Sequence, residues 1–108
     1  MESNKIQEMQ ILEQNLQNLL LQKQAFQMEL SETSSALNEI EKSKDDVFKI
    51  IGQLMIKTQK SKVKSELENK KKIIEMRLKT IEKQESSLSK KVEELRGEVM
   101  NSLGKNKK

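Results

Sequence analysis

Cysteine, histidine, proline, tryptophan and tyrosine are all missing from this sequence of 108 residues, and phenylalanine occurs only twice. Without cysteine there is no disulfide framework and no thiolate metal site. Without histidine or cysteine the usual nucleophile–base pairs cannot be assembled, and serine pairs such as Ser34-Ser35 and Ser86-Ser87 have no basic group to activate them. Three glycines do not make a phosphate-cradling loop. The adjacent carboxylates Asp45-Asp46 and Glu93-Glu94 read as solvated charge, and glutamates scattered among lysines form ion pairs more often than oxygen cages. An enzyme is therefore not expected, and neither a cofactor nor a metal. No run approaches the eighteen or so apolar residues of a membrane span, and the opening Met-Glu-Ser-Asn-Lys lacks the basic and apolar regions of a signal peptide. The expectation is a soluble, cytoplasmic protein that does not engage a membrane.

What is present is charge and helix. With 35% charged, 33% hydrophobic and 2% aromatic residues, the chain is too polar for a compact globular core, and the absence of proline favours long helices, so an elongated molecule is expected. The formal charge is +4, but lysines and glutamates alternate, which describes a solvated helix surface better than a nucleic-acid groove. Lys57, Lys60, Lys62 and Lys64, or Lys70-Lys71-Lys72, are the residues a nucleic-acid reading would need; a collar that keeps neighbouring strands soluble is the simpler account, and no nucleic-acid partner is expected.

Two heptad series carry the helices. In the first, Met9, Leu12, Leu16, Leu19, Phe26, Leu30, Leu37 and Ile40 take a and d positions, with Lys23 and Thr33 as exceptions. In the second, Leu67, Ile74, Leu78, Ile81, Leu88, Val92, Leu95 and Val99 do so, with Lys71, Glu85 and Ser102 as exceptions. Each is a narrow stripe that a single helix cannot hide, so each needs a partner helix. The first helix, from Glu2 to about Lys44, spans about 60 Å at about 1.5 Å per residue. Either Thr58 or Ser61 can N-cap the second. Gly97 weakens its last turns, and fraying is expected near Met100 to Leu103, followed by a disordered basic tail, Gly104-Lys105-Asn106-Lys107-Lys108.

Between the two series lies the one break in the helical pattern, from Asp46 to Thr58. Val47, Phe48, Ile50 and Ile51 precede Gly52-Gln53, and Leu54, Met55 and Ile56 follow. Glycine at the first central position is what a two-residue type II′ hairpin turn requires. The register that follows sets Ile51 opposite Leu54, Ile50 opposite Met55, Lys49 opposite Ile56 and Phe48 opposite Lys57. Phe48, Ile50 and Met55 then share one face, and Val47, Ile51, Leu54 and Ile56 the other. Both faces are apolar. A lone hairpin of this kind is marginal in water and its edges are unpaired, so strands from outside the chain are expected to complete it.

Series of nearly equal length flanking one hairpin imply an antiparallel intramolecular coiled coil. Pairing Met9 with Leu95, Leu16 with Leu88, Phe26 with Leu78, Leu30 with Ile74 and Leu37 with Leu67 puts an a position against a d position throughout; a slip of one heptad is the alternative. The organisation expected is one domain, 1–108, built as a helix over 1–44, a hairpin assembly element over 45–60, a helix over 61–103 and a tail over 104–108. The fold class is mostly α: a long two-helix coiled coil joined by one β-hairpin.

Asp46-Val47-Phe48-Lys49-Ile50-Ile51-Gly52 followed by Leu54-Met55-Ile56-Lys57-Thr58, set between two long heptad helices, resembles the prefoldin family in its archaeal β-type form. The resemblance covers nearly the whole chain. Phe48 stands where a tyrosine is common. A single hairpin matches the β type, since α-type subunits carry two. The resemblance implies a hexamer of two α and four β subunits whose hairpins join into a β-barrel. It also implies an ATP-independent holdase that captures unfolded polypeptides at coiled-coil tips and passes them to a group II chaperonin. The tips would be the paired termini, where Ile6, Met9, Val99, Met100 and Leu103 are the candidate substrate contacts; adaptable apolar groups there suit many unfolded chains. Ile11, Leu20 and Leu21 also lie off the a and d positions, and Leu20 and Leu21 are expected to widen the coiled-coil face. The alternative class is a structural coiled-coil adaptor or tether, which explains the heptads but not a hairpin apolar on both faces.

Overall fold

The computed structural model describes residues 2–44 and 46–106. They form α1 (Glu2–Lys42), β1 (Val47–Ile51), β2 (Leu54–Thr58) and α2 (Lys60–Asn106), in that order. This is the expected fold class: two long helices paired as an antiparallel coiled coil, and one antiparallel hairpin. The chain divides into two compact units, a hairpin unit over 26–78 and a terminal unit over 1–25 and 79–108.

In the terminal unit the expected a and d residues of α1, Met9, Leu12, Leu16, Leu19 and Lys23, are all half-buried. On α2, Ile81, Val92 and Val99 are buried, while Glu85, Leu88, Leu95 and Ser102 are half-buried. The seam is therefore the one the 3.5-residue period selects, because only those positions face the partner helix on every turn. Its register shows in the ion pairs along its flanks: Lys5 Nζ to Glu98 Oε2 at 3.3 Å, Arg96 Nη2 to Glu13 Oε1 at 3.5 Å and Lys23 Nζ to Glu85 Oε2 at 3.6 Å. All three fit the pairing of Met9 with Leu95 and Leu16 with Leu88. A slip of one heptad either way would separate at least one of them by two turns or more, which no side chain spans.

The hairpin unit repeats the pattern. Phe26, Leu30, Leu37 and Ile40 on α1 face Val63, Leu67, Ile74 and Leu78 on α2, and all are half-buried or buried. Its two polar seam positions are accommodated differently. Thr33 is buried, and its hydroxyl donates to the Glu29 carbonyl one turn back at 2.8 Å, so its polar atom is satisfied without leaving the helix. Lys71 stays half-buried, as an amphipathic side chain can when its stem lies along the seam. The Arg77 guanidinium sits 5.7 Å from the centre of the Phe26 ring, a cation–π contact that covers the edge of the seam.

The boundaries need three corrections. Helix α1 stops at Lys42, where the Ser43 N–H is shared between the carbonyls of Glu39 (3.0 Å) and Ile40 (3.2 Å). Neither Thr58 nor Ser61 caps α2. The Val63 N–H donates to the Gln59 carbonyl at 3.2 Å, which makes Gln59 the cap residue, while Thr58 is retained by the last rung of the hairpin. Finally, α2 runs past Gly97 and Leu103, so Gly104-Lys105-Asn106 are helical rather than disordered. One glycine costs a helix about 1 kcal/mol, too little to end it when Val92 and Val99 are buried on either side and no proline follows. Asp45 and the tail residues Lys107 and Lys108 lie outside the described residues.

Candidate functional site

The hairpin pairs in the register read from the sequence: Val47 with Thr58, Phe48 with Lys57, Lys49 with Ile56, Ile50 with Met55 and Ile51 with Leu54. Gly52 has φ +62°, and no described non-glycine residue has a positive φ, so Gln53 does not. A positive φ at the first central residue alone is the signature of the type II′ turn, whose twist matches that of the strands.

The described residues supply no third strand, and the hairpin's apolar side chains stand in solvent. Phe48, Ile51, Leu54, Met55 and Ile56 are exposed, Ile50 at 69%, and only Val47 is half-buried. Burying one such side chain is worth about 1.5–3 kcal/mol, so six of them amount to roughly 10 kcal/mol per hairpin, comparable with the whole stability of a small domain.

Around the strands five of the lysines have partners. Lys49 Nζ lies 3.2 Å from Glu66 Oε2, Lys57 Nζ 3.3 Å from Asp46 Oδ2 and Lys64 Nζ 3.4 Å from Glu41 Oε1. Lys60 Nζ donates to the Ser43 carbonyl at 2.9 Å, closing the C-terminal end of α1 with a cation where the helix dipole favours one. Lys70 pairs with Glu29 at 3.5 Å. Such exposed pairs add little stability, but they spend the positive charge locally, as a solubilising collar does and a phosphate-binding stripe does not. The interhelix role of Lys60 was not readable from sequence, because its acceptor is a main-chain carbonyl.

In the terminal unit the five candidate contacts separate by exposure. Ile6 (37%), Met100 (65%) and Leu103 (44%) reach the surface. Met9 is half-buried and Val99 is only 7% exposed, since both are seam residues. Val99 therefore stands behind the surface rather than on it. Leu20, 48% exposed, lines a shallow groove with Leu16 and Gln17 and with Glu85 and Ser89 of α2, so it widens the face towards that helix, whereas Leu21, 64% exposed, stands in solvent. Ile11 is exposed as well. Among the described residues no group of His, Cys, Asp or Glu side chains could hold a metal ion, and no helix is long and apolar enough to cross a membrane.

The sequence model of a family described as "Prefoldin subunit" matches residues 3–106. The chain is 40% identical over 93 residues to the prefoldin subunit beta of Thermococcus kodakarensis, covering 84% of this chain and 80% of that one. It is 37% identical over 93 residues to the prefoldin subunit beta of Pyrococcus furiosus, with the same coverage. Among solved structures, the prefoldin beta subunit from Thermococcus strain KS-1 superposes with a TM-score of 0.88 at 36% identity, over 94% of this chain and 91% of that one.

Proposed function

From the premise that this chain belongs to the prefoldin family, as a β-type subunit, we propose that it serves in a hetero-oligomeric chaperone that holds unfolded polypeptides without ATP and without catalysis. The observation that carries this reading is the hairpin exposed on both apolar faces, with no third strand to cover it among the described residues. In the proposed complex two α and four β subunits pool their hairpins into a closed β-barrel, which abolishes the strand edges and buries Phe48, Ile50, Met55, Ile51, Leu54 and Ile56. A tether would use the same coiled coil but leaves that exposed hairpin without a purpose.

The substrate surface lies on the terminal unit, where Ile6, Met100 and Leu103 form its outer layer and Met9 and Val99 back them from the seam. Unfolded chains share exposed apolar surface rather than a sequence, and weak contacts at several subunits combine into avid capture. The held chain then passes to a cytoplasmic group II chaperonin.

The test has two arms. The chain mixed with an archaeal α-type prefoldin subunit is expected to give one hexameric mass and to delay aggregation of a chemically unfolded protein. The triple variant Ile6→Gln/Met100→Gln/Leu103→Gln keeps helix propensity while removing apolar contact, each worth about 1–2 kcal/mol. It should assemble normally and need several times more complex for the same protection. A triple variant that protects as well as the unmodified complex would move capture away from these residues. Loss of protection should also be nearly insensitive to salt, whereas binding through phosphate contacts weakens steeply with it.

A further inference from the structure

Within the terminal unit an open groove of about 630 Å³ runs beside the seam. Leu19 and Leu88 form its floor, and Asn15, Asn18 and Gln22 of α1 with Gln84 of α2 form its rim. Three features set it apart from the rest of the coiled coil. The four rim amides are exposed, and among the described residues none of them makes a hydrogen bond. Lys83 is the one charged residue in the lining, in a chain that is 35% charged, and α1 carries no charge at all between Glu13 and Lys23. The seam beneath is also loosened, because neither Glu85 nor Leu88 reaches the burial of Ile81 and Val92 on either side.

Coiled-coil flanks ordinarily carry opposite charges that select a partner. Here that flank carries primary amides, each of which donates and accepts as a peptide group does. A folded protein offers such a rim little, since its own peptide groups are already bonded. A second copy of this chain would bring charges of both signs to a surface with almost none to pair with. An extended, unpaired backbone complements it in any register and from any sequence. We propose that this groove is a lateral binding site for an extended, uncharged segment of unfolded polypeptide, its peptide groups pairing with the amide rim and its apolar side chains resting on Leu19 and Leu88. The inference rests on the chaperone reading and adds to it a site beside the seam, separate from Ile6, Met100 and Leu103.

Because the chain has no cysteine, a single one can be introduced and labelled without interference. The experiment attaches a benzophenone to Asn18→Cys, and as a control to Lys90→Cys, in the full chain assembled with an α-type subunit. Each is irradiated with guanidine-unfolded, reduced and alkylated lysozyme, or with native lysozyme. The Asn18 label is expected to cross-link unfolded lysozyme at least fivefold more than the Lys90 label, and native lysozyme not at all. In parallel, Asn18→Glu/Gln22→Glu/Gln84→Glu, with helicity checked by circular dichroism, should need at least three times more complex to delay aggregation. Equal cross-linking from the two positions, or cross-links chiefly between copies of the chain, would overturn the groove assignment while the unmodified complex still protects lysozyme. Failure of the unmodified complex to protect it would overturn the chaperone reading and the groove with it.

Discussion

At the scale of single residues the most informative position is Glu85. Its Oε2 atom is shielded from water and has no hydrogen bond, and its counter-charge among the described residues is Lys23, whose ammonium lies 3.6 Å away, beyond hydrogen-bond reach. The pair is the least exposed of the interhelical ion pairs, with the two side chains at 23% and 33%. A partly desolvated pair of this kind is poor at stabilising a fold but costly to break by halves. Lys23→Leu alone is therefore expected to lower stability by about 1 kcal/mol or more, because the glutamate keeps its desolvation and loses its counter-charge. The double variant Lys23→Leu/Glu85→Leu should recover that loss and exceed the parent, since two leucines complete the seam. Urea unfolding followed by circular dichroism reads both, and a double variant no more stable than Lys23→Leu alone would show that the pair contributes net stability.

At the scale of elements, two glycines act in opposite ways. Gly52 is required by its backbone: at φ +62° nothing lies within 4 Å of an added Cβ, so the penalty for a side chain there is conformational rather than steric crowding from neighbours. Gly52→Ala should weaken the hairpin by about 1–3 kcal/mol, and show it as a higher subunit concentration needed for assembly, whereas Gln53→Asn, at a position without positive φ, should not. Gly97 is the reverse case. It sits in the interior of α2 with open space where a Cβ would go, so Gly97→Ala should stabilise the terminal unit by about 0.5–1 kcal/mol, read as a rise in its unfolding midpoint. A fall in the midpoint would mean that the helix needs the glycine for a bend or a close approach.

At the scale of the whole molecule, the hairpin and the termini belong to different compact units. Ile50→Asp or Ile56→Asp places a carboxylate where the proposed barrel would bury it. The cost of several kcal/mol recurs in every β subunit, enough to abolish the oligomer while the helical signal persists. Mass measurement by light scattering checks this, and a variant that assembles as the parent does would remove the hairpin from assembly.

Helix, hairpin, register and seam were legible in the sequence because each is set by short-range chemistry. The 3.5-residue period names Ile74, Ile81, Val92 and Val99 as inward, and Gly52-Gln53 names the turn and with it every cross-strand pair. What only the tertiary structure decided depends on how far round a helix a side chain points and on what stands across from it. Leu20 and Leu21 both lie off the heptad positions, yet Leu20 borders a groove with Glu85 and Ser89 of α2 while Leu21 is left in solvent. Val99 is a seam position by its period and a tip residue by its place in the chain, and in the folded chain it is covered, at 7% exposure. Lys60 caps α1 from a residue 17 positions away from Ser43, an interaction no local pattern encodes. The amide-rimmed groove is likewise a product of pairing, because Asn18 and Gln84 line one groove only once the two helices have closed.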